Sequence, residues 1–93
     1  MAKIQRSLNG RDIVLYGFST CGWSHKVEQL LDQMGVSYVN VYVDLMGRED
    51  RELVLERIKY WTPYLTFPLL IVDNKKCVVG YDESRIIRAV EYD

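Results

Sequence analysis

Ninety-three residues, 48% apolar and 27% charged, suffice for one modest hydrophobic core, so a single domain over residues 1–93, with its core at about 12–91, is expected. Twelve basic residues against thirteen acidic ones leave a net charge of −1 without a run of Lys or Arg, which argues against nucleic acid or an anionic membrane surface as a partner. Met1–Arg6 lacks the apolar core of a secretion signal and no apolar run nears the ~20 residues that span a bilayer, so a cytoplasmic, reducing location is expected. There, Cys21 and Cys77 are expected to be reactive or buried thiols rather than a disulfide.

Asn9-Gly10-Arg11-Asp12 is a turn signal, and Ile13 to Tyr16 is a short, β-branched, apolar run of the kind buried on both faces of a sheet. After Cys21, the residues Val27, Leu30, Leu31 and Met34 recur at helical spacing, and Gly35 stands where a helix C-cap needs positive φ. Tyr38 to Val43 reads as a second strand, and strand, helix and strand in so short a length imply a right-handed parallel βαβ unit. Arg48-Glu49-Asp50 opens a second helix with Val54, Leu55, Ile58 and Trp61 on one stripe, ended before Pro63. Pro68 to Val72, the polar Asp73 to Lys76, and Cys77 to Val79 read as an antiparallel hairpin. Asp82 is a plausible N-cap for a last helix with Ile86, Ile87 and Val90 inward. The order is βαβαββα, an α/β fold with a four-stranded mixed sheet and three helices.

The chemistry concentrates at Ser19-Thr20-Cys21-Gly22-Trp23-Ser24, where strand gives way to helix. A helix's first turn offers unpaired N–H groups and about half a positive charge, both of which favour thiolate over thiol. Such positions bring a thiol's pKa from ~8.5 to about 3.5–7.5. Cys21 is therefore the candidate nucleophile, its charge held by the N–H groups of Gly22, Trp23 and Ser24 and by the Ser24 hydroxyl. Cys77, at the start of the last strand, is read as strand packing. A Cys21/His25 nucleophile–base pair is conceivable, but a helix-start thiolate needs no base, and His25 is expected to be solvated. Trp23 is read as lining a groove, and Tyr60, Trp61 and Tyr64 as core or rim.

This element order, the cysteine at the first strand–helix junction, Thr66-Phe67-Pro68 before the third strand and Gly80-Tyr81-Asp82 after the fourth together resemble the glutaredoxin family of the thioredoxin fold. The likeness runs from Asp12 to Glu91. It implies a cis bond before Pro68, with Phe67 offering its backbone to an extended, glutathione-like ligand, and Gly80, Tyr81 and Asp82 holding that ligand's carboxylate end. Ser24 stands where many members carry a second cysteine. That serine fits a natural single-thiol site, or a second cysteine replaced to trap intermediates. The resemblance thus implies single-cysteine thiol-disulfide exchange with glutathione or another small thiol as co-substrate, acting as a monomer on disulfides or glutathionylated proteins.

Cys-Gly-Trp-Ser is also similar to the Cys-Gly-Phe-Ser of monothiol members that hold a [2Fe-2S] cluster between two protomers, with Cys21 then a ligand. Phe18 counts against that reading, because the cluster type has a lysine three residues before the cysteine. Lys26, Arg57 and Lys59 are the candidates for the missing charge. The remaining alternative is a redox-inert interaction module on the same fold.

Overall fold

The computed structural model describes residues 11–92. Asn9 and Gly10 of the expected turn, and the Met1–Arg6 opening, lie outside the described residues. The elements are β1 (Ile13–Gly17), α1 (Gly22–Met34), β2 (Val39–Tyr42), a 3-10 turn (Val43–Leu45), α2 (Arg48–Trp61), β3 (Leu69–Val72), β4 (Lys76–Val79) and α3 (Glu83–Glu91). The strands form one sheet in the order β2-β1-β3-β4. β2 runs parallel to β1, β3 antiparallel to β1, and β4 antiparallel to β3, giving the thioredoxin-like α/β arrangement expected from the sequence. Strand boundaries differ from expectation: Tyr38 and Pro68 fall just outside β2 and β3, and Gly17 extends β1. Val43 leaves the second strand to open the 3-10 turn, and Lys76 joins β4 opposite Val72 instead of belonging to the turn.

Alternation along the central strands sends side chains to two cores. Ile13, Leu15, Leu70, Val72 and Val78 pack against Val27, Leu30 and Leu31 of α1 and Ile86, Ala89 and Val90 of α3. On the other face, Tyr16, Leu69 and Ile71 meet Val43 and Ile58, with Val54, Leu55, Trp61 and Cys77 packed around them. The expected stripe of α2 is thus shallower than its spacing suggested: Ile58 is fully buried, Val54, Leu55 and Trp61 are half-buried, and Leu53 faces solvent.

The turns carry residue types that suit them. Gly35 caps α1 with φ 72°, its N–H donating to the Asp32 carbonyl. Asp73 and Asn74 both take positive φ in the hairpin turn, where Lys75 N–H reaches the Val72 carbonyl at 3.1 Å. Asp73 also ties the end of β3 to the start of β1, accepting from Arg11 at 2.7 Å and from Asp12 N–H at 2.9 Å. These bonds fix the sheet end opposite the one where Cys21 lies.

Candidate active site

Register alone brings three separated segments to one edge. Tyr16 pairs with Leu69, and Leu69 pairs with Val79, so the end of β1, the start of β3 and the end of β4 stand side by side. Each segment then leaves the sheet as a loop: Phe18–Cys21, Thr66–Pro68 and Gly80–Asp82. Side chains and backbone close these loops into a ring. Phe18 meets Phe67 edge-on at 4.6 Å between ring centroids. The peptide Phe67–Pro68 is cis. Pro68 offers its carbonyl to Gly80 N–H at 2.7 Å, and Gly80 takes φ 79°, a conformation that favours glycine. Tyr81 stacks on Trp23 at 5.9 Å, returning to the Cys21 side.

Cys21 is the N-cap of α1, in extended conformation, and no Asp or Glu occupies the first turn to oppose a negative sulfur. Its thiol is held below the ordinary thiol range, chiefly by a hydrogen bond from the Ser24 hydroxyl. The Ser24 N–H acts in the same direction, burial opposes them, and the Trp23 N–H and the charge of His25 add lesser support. Gly22 opens the helix beside them. Ser24 itself is 0% exposed. Its oxygen accepts Phe18 N–H at 3.4 Å and its hydroxyl acts on the sulfur, so it relays between strand end and nucleophile. Gly17 makes room for it: a Cβ there would stand 2.3 Å from Ser24 Oγ.

A polar network behind the sulfur was not foreseen from the sequence. Asp44, in the 3-10 turn after β2, accepts Ser19 N–H at 2.9 Å and Ser19 Oγ–H at 2.5 Å, and these bonds lower its carboxyl below the usual range. His25 is solvated as expected, its side chain 43% exposed, and it also has oxygen partners at both ring nitrogens. Its Nε2 lies 2.7 Å from the Ser19 carbonyl and its Nδ1 3.3 Å from Glu28 Oε2, which also accepts Tyr42 O–H at 2.9 Å. The spacing of His25 and Glu28 was a readable signal of part of this. The Ser19–Asp44 bonds span 25 positions and had no local signature.

The other residues singled out take distinct places. Trp23 is 58% exposed beside the ring of loops. Lys26 Nζ sits over the rings of Trp23 and Tyr81, at 5.5 and 6.0 Å, and is the one candidate cation shown at this edge. Arg57 lines a cavity of about 270 Å³ with Asp12, Ile13 and Asn74 at the opposite sheet end. Lys59 is exposed on α2. Asp82 caps α3, one carboxylate oxygen accepting Arg85 N–H at 3.2 Å. Trp61 joins the α2-facing core, whereas Tyr60 and Tyr64, read as core or rim, both face solvent. Cys77 pairs with Ile71, two positions deeper than Val79, and both cysteines are free. Among the described residues no three His, Cys, Asp or Glu side chains gather as a metal site, and no helix is long and apolar enough to cross a membrane.

Comparison with known proteins points the same way as this geometry. A search of curated proteins found no significant match. Among solved structures, the chain is similar to the methanoredoxin of Methanosarcina acetivorans, at 34% identity over 87% of this chain and 85% of that one, with a TM-score of 0.83. The glutaredoxin of Methanosarcina mazei Go1 is 32% identical, over 87% of this chain and 79% of that one, with a TM-score of 0.83. That of Archaeoglobus fulgidus is 25% identical over 86% of each chain, with a TM-score of 0.80. With the family model described as Glutaredoxin matching residues 13–78, which hold Cys21 and Pro68, the chain belongs to the glutaredoxin family, and that membership supports a redox-active, thiol-disulfide oxidoreductase role.

Proposed function

We propose that the protein carries out thiol-disulfide exchange through the single cysteine Cys21, with glutathione or another small thiol as co-substrate. The Cys21 thiolate attacks one sulfur of a disulfide or glutathionylated protein. A new S–S bond forms to Cys21, the old S–S bond breaks, and the departing thiolate takes a proton from solvent. A second small thiol, as thiolate, then attacks the mixed disulfide and releases Cys21 as thiolate, leaving the pair of electrons on the enzyme sulfur. Ser24 occupies the place from which a second cysteine would resolve the intermediate, so the external thiol takes that step.

In this reading Gly22, Trp23 and Ser24 hold the charge of the sulfur, and the Phe67 backbone beside Pro68 receives the peptide-like part of the thiol by strand-like pairing. Gly80, Tyr81 and Asp82, at the start of α3, receive its carboxylate end. The observation that carries the reading is the closed ring of contacts that sets Cys21, Phe67–Pro68 and Gly80–Tyr81 on one edge. The protein would act as a monomer in a reducing, cytoplasmic setting. The residues fit a bridging [2Fe-2S] cluster less well, since Phe18 is packed on Phe67 where a cation would be wanted.

Intact mass spectrometry after exposure to oxidised glutathione tests this. Wild type and Cys77→Ser are expected to gain one glutathione, and Cys21→Ser none; labelling carried mainly by Cys77 overturns the assignment. Visible absorption after anaerobic reconstitution with iron, sulfide and glutathione, without turnover, would favour cluster binding. No adduct and an unshifted Cys21 titration would leave the interaction module.

A further inference from the structure

His25 is the only histidine in the chain, and both of its ring nitrogens face oxygen. The Ser19 carbonyl opposite Nε2 can only accept, and so can the ionised Glu28 carboxylate opposite Nδ1. A neutral imidazole has one N–H, so it would leave one lone pair against an oxygen; the imidazolium, with two N–H groups, satisfies both. The surroundings reinforce this. Tyr42 of β2 presents its ring to His25 at 6.1 Å between centroids, and its hydroxyl donates to the same Glu28 oxygen. The Ser19 that receives His25 is held from its other side by Asp44. The groups acting on His25 are thus the Ser19 carbonyl, Glu28, Tyr42 and, by charge, Cys21, with Asp44 behind Ser19. They come from the loop after β1, from α1, from β2 and from the 3-10 turn. The imidazole is accordingly raised above the ordinary histidine range, by the Ser19 bond first and then by Glu28 and the Cys21 charge, against partial desolvation.

We infer that His25 is a positioning residue for the exchange reaction: as an imidazolium bridging Ser19 and Glu28, it clamps the Phe18–Cys21 turn to α1 and sets a positive charge beside the nucleophile. Four residues after Cys21 it stands one helical turn along, while the turn it holds brings Phe18 N–H to Ser24, the residue that most favours the thiolate. Glu28 and Tyr42 act through His25, and Asp44 through Ser19. The inference rests on Cys21 being the exchanging sulfur.

The test follows the alkylation of Cys21 by iodoacetamide against pH in a Cys77→Ser background, a readout that needs no glutathione. His25→Gln is expected to slow alkylation about threefold at mildly acidic pH and to move the profile upward, because the charge favouring the thiolate is gone. Glu28→Gln should move it the same way by less, and His25→Arg, whose guanidinium donates to both oxygens, should restore the wild-type profile. Reciprocity supplies a check that uses no His25 variant: Cys21→Ser should lower the titration midpoint of the single imidazole, read by NMR. A role in folding alone would lower thermal stability without moving either profile. An unchanged alkylation profile in folded His25→Gln, or an imidazole that titrates identically with and without Cys21, overturns the inference. If glutathione forms no adduct while the alkylation profile still moves with His25, the proposed function fails and the positioning role stands.

Discussion

Cys21 and Cys77 place the same thiol in two kinds of surroundings. Cys21 ends a loop and begins a helix, so its sulfur meets the N–H groups of Trp23 and Ser24 and a buried hydroxyl. Cys77 lies within the edge strand β4 opposite Ile71, its side chain turned to the apolar cluster under α2. What separates them is the direction of backbone N–H groups: a helix start gathers several free ones around one side chain, whereas a strand's lie in the plane of the sheet, across from its side chains. Reactivity in this chain is thereby written into topology, with Ser24 adding a donor that topology alone would not supply.

The sharpest way to break this contrast is to exchange the roles. Cys21→Ser should reduce disulfide exchange at least about 10³-fold, whereas Cys77→Ser should keep the activity and cost about 1 kcal/mol in urea unfolding for a hydroxyl placed among apolar side chains. Gly17→Ala comes next. Its methyl would press on Ser24 Oγ, and a loss of about 1–3 kcal/mol is expected, together with slower Cys21 alkylation because the relay shifts. Ser24→Ala removes the leading donor and leaves Phe18 N–H without its acceptor. Alkylation at mildly acidic pH should fall about tenfold, because the sulfur loses the strongest of its hydrogen-bond supports as a thiolate. Asp44→Asn, which weakens the anchor of Ser19, is expected to change the rate about twofold.

The pH dependence has a definite sign. Because folding lowers the Cys21 titration, the ionised sulfur stabilises the native state above the ordinary thiol range, and that contribution is lost as pH falls through the lowered folded value. The stability gap between wild type and Cys21→Ser should therefore widen as pH rises across that window. His25 runs the other way: its contribution is present below the ordinary histidine value and is lost as pH rises through the raised one.

Much of the scaffold was legible because it is local. The β-branched runs of β1 and β3, Gly35 at positive φ after α1, and Asp82 capping α3 each follow from a few adjacent residues. The edge shared by Cys21, Pro68 and Gly80 followed from strand direction. What stayed hidden depends on contacts between distant positions. Phe18 looked like an absence of charge, yet it is the aromatic link to Phe67. Asp44 lies just past the segment read as the second strand, and its link to Ser19 exists only because β2 lies beside β1. Gly17 had the composition of an ordinary strand end, and its reason is the oxygen of Ser24. For α2, helical spacing identified the inward stripe but could not say how closely the helix packs, which left Val54, Leu55 and Trp61 half-buried.

The central claim is that Ser24 and the first-turn amides hold the Cys21 thiol below the ordinary thiol range, and ultraviolet thiolate absorbance titrated in Cys77→Ser, with Cys21→Ser as the blank, reads it directly. A single midpoint below the ordinary thiol value, moved upward by Ser24→Ala, is the expected result. A midpoint at or above that value, indifferent to position 24, would contradict the account.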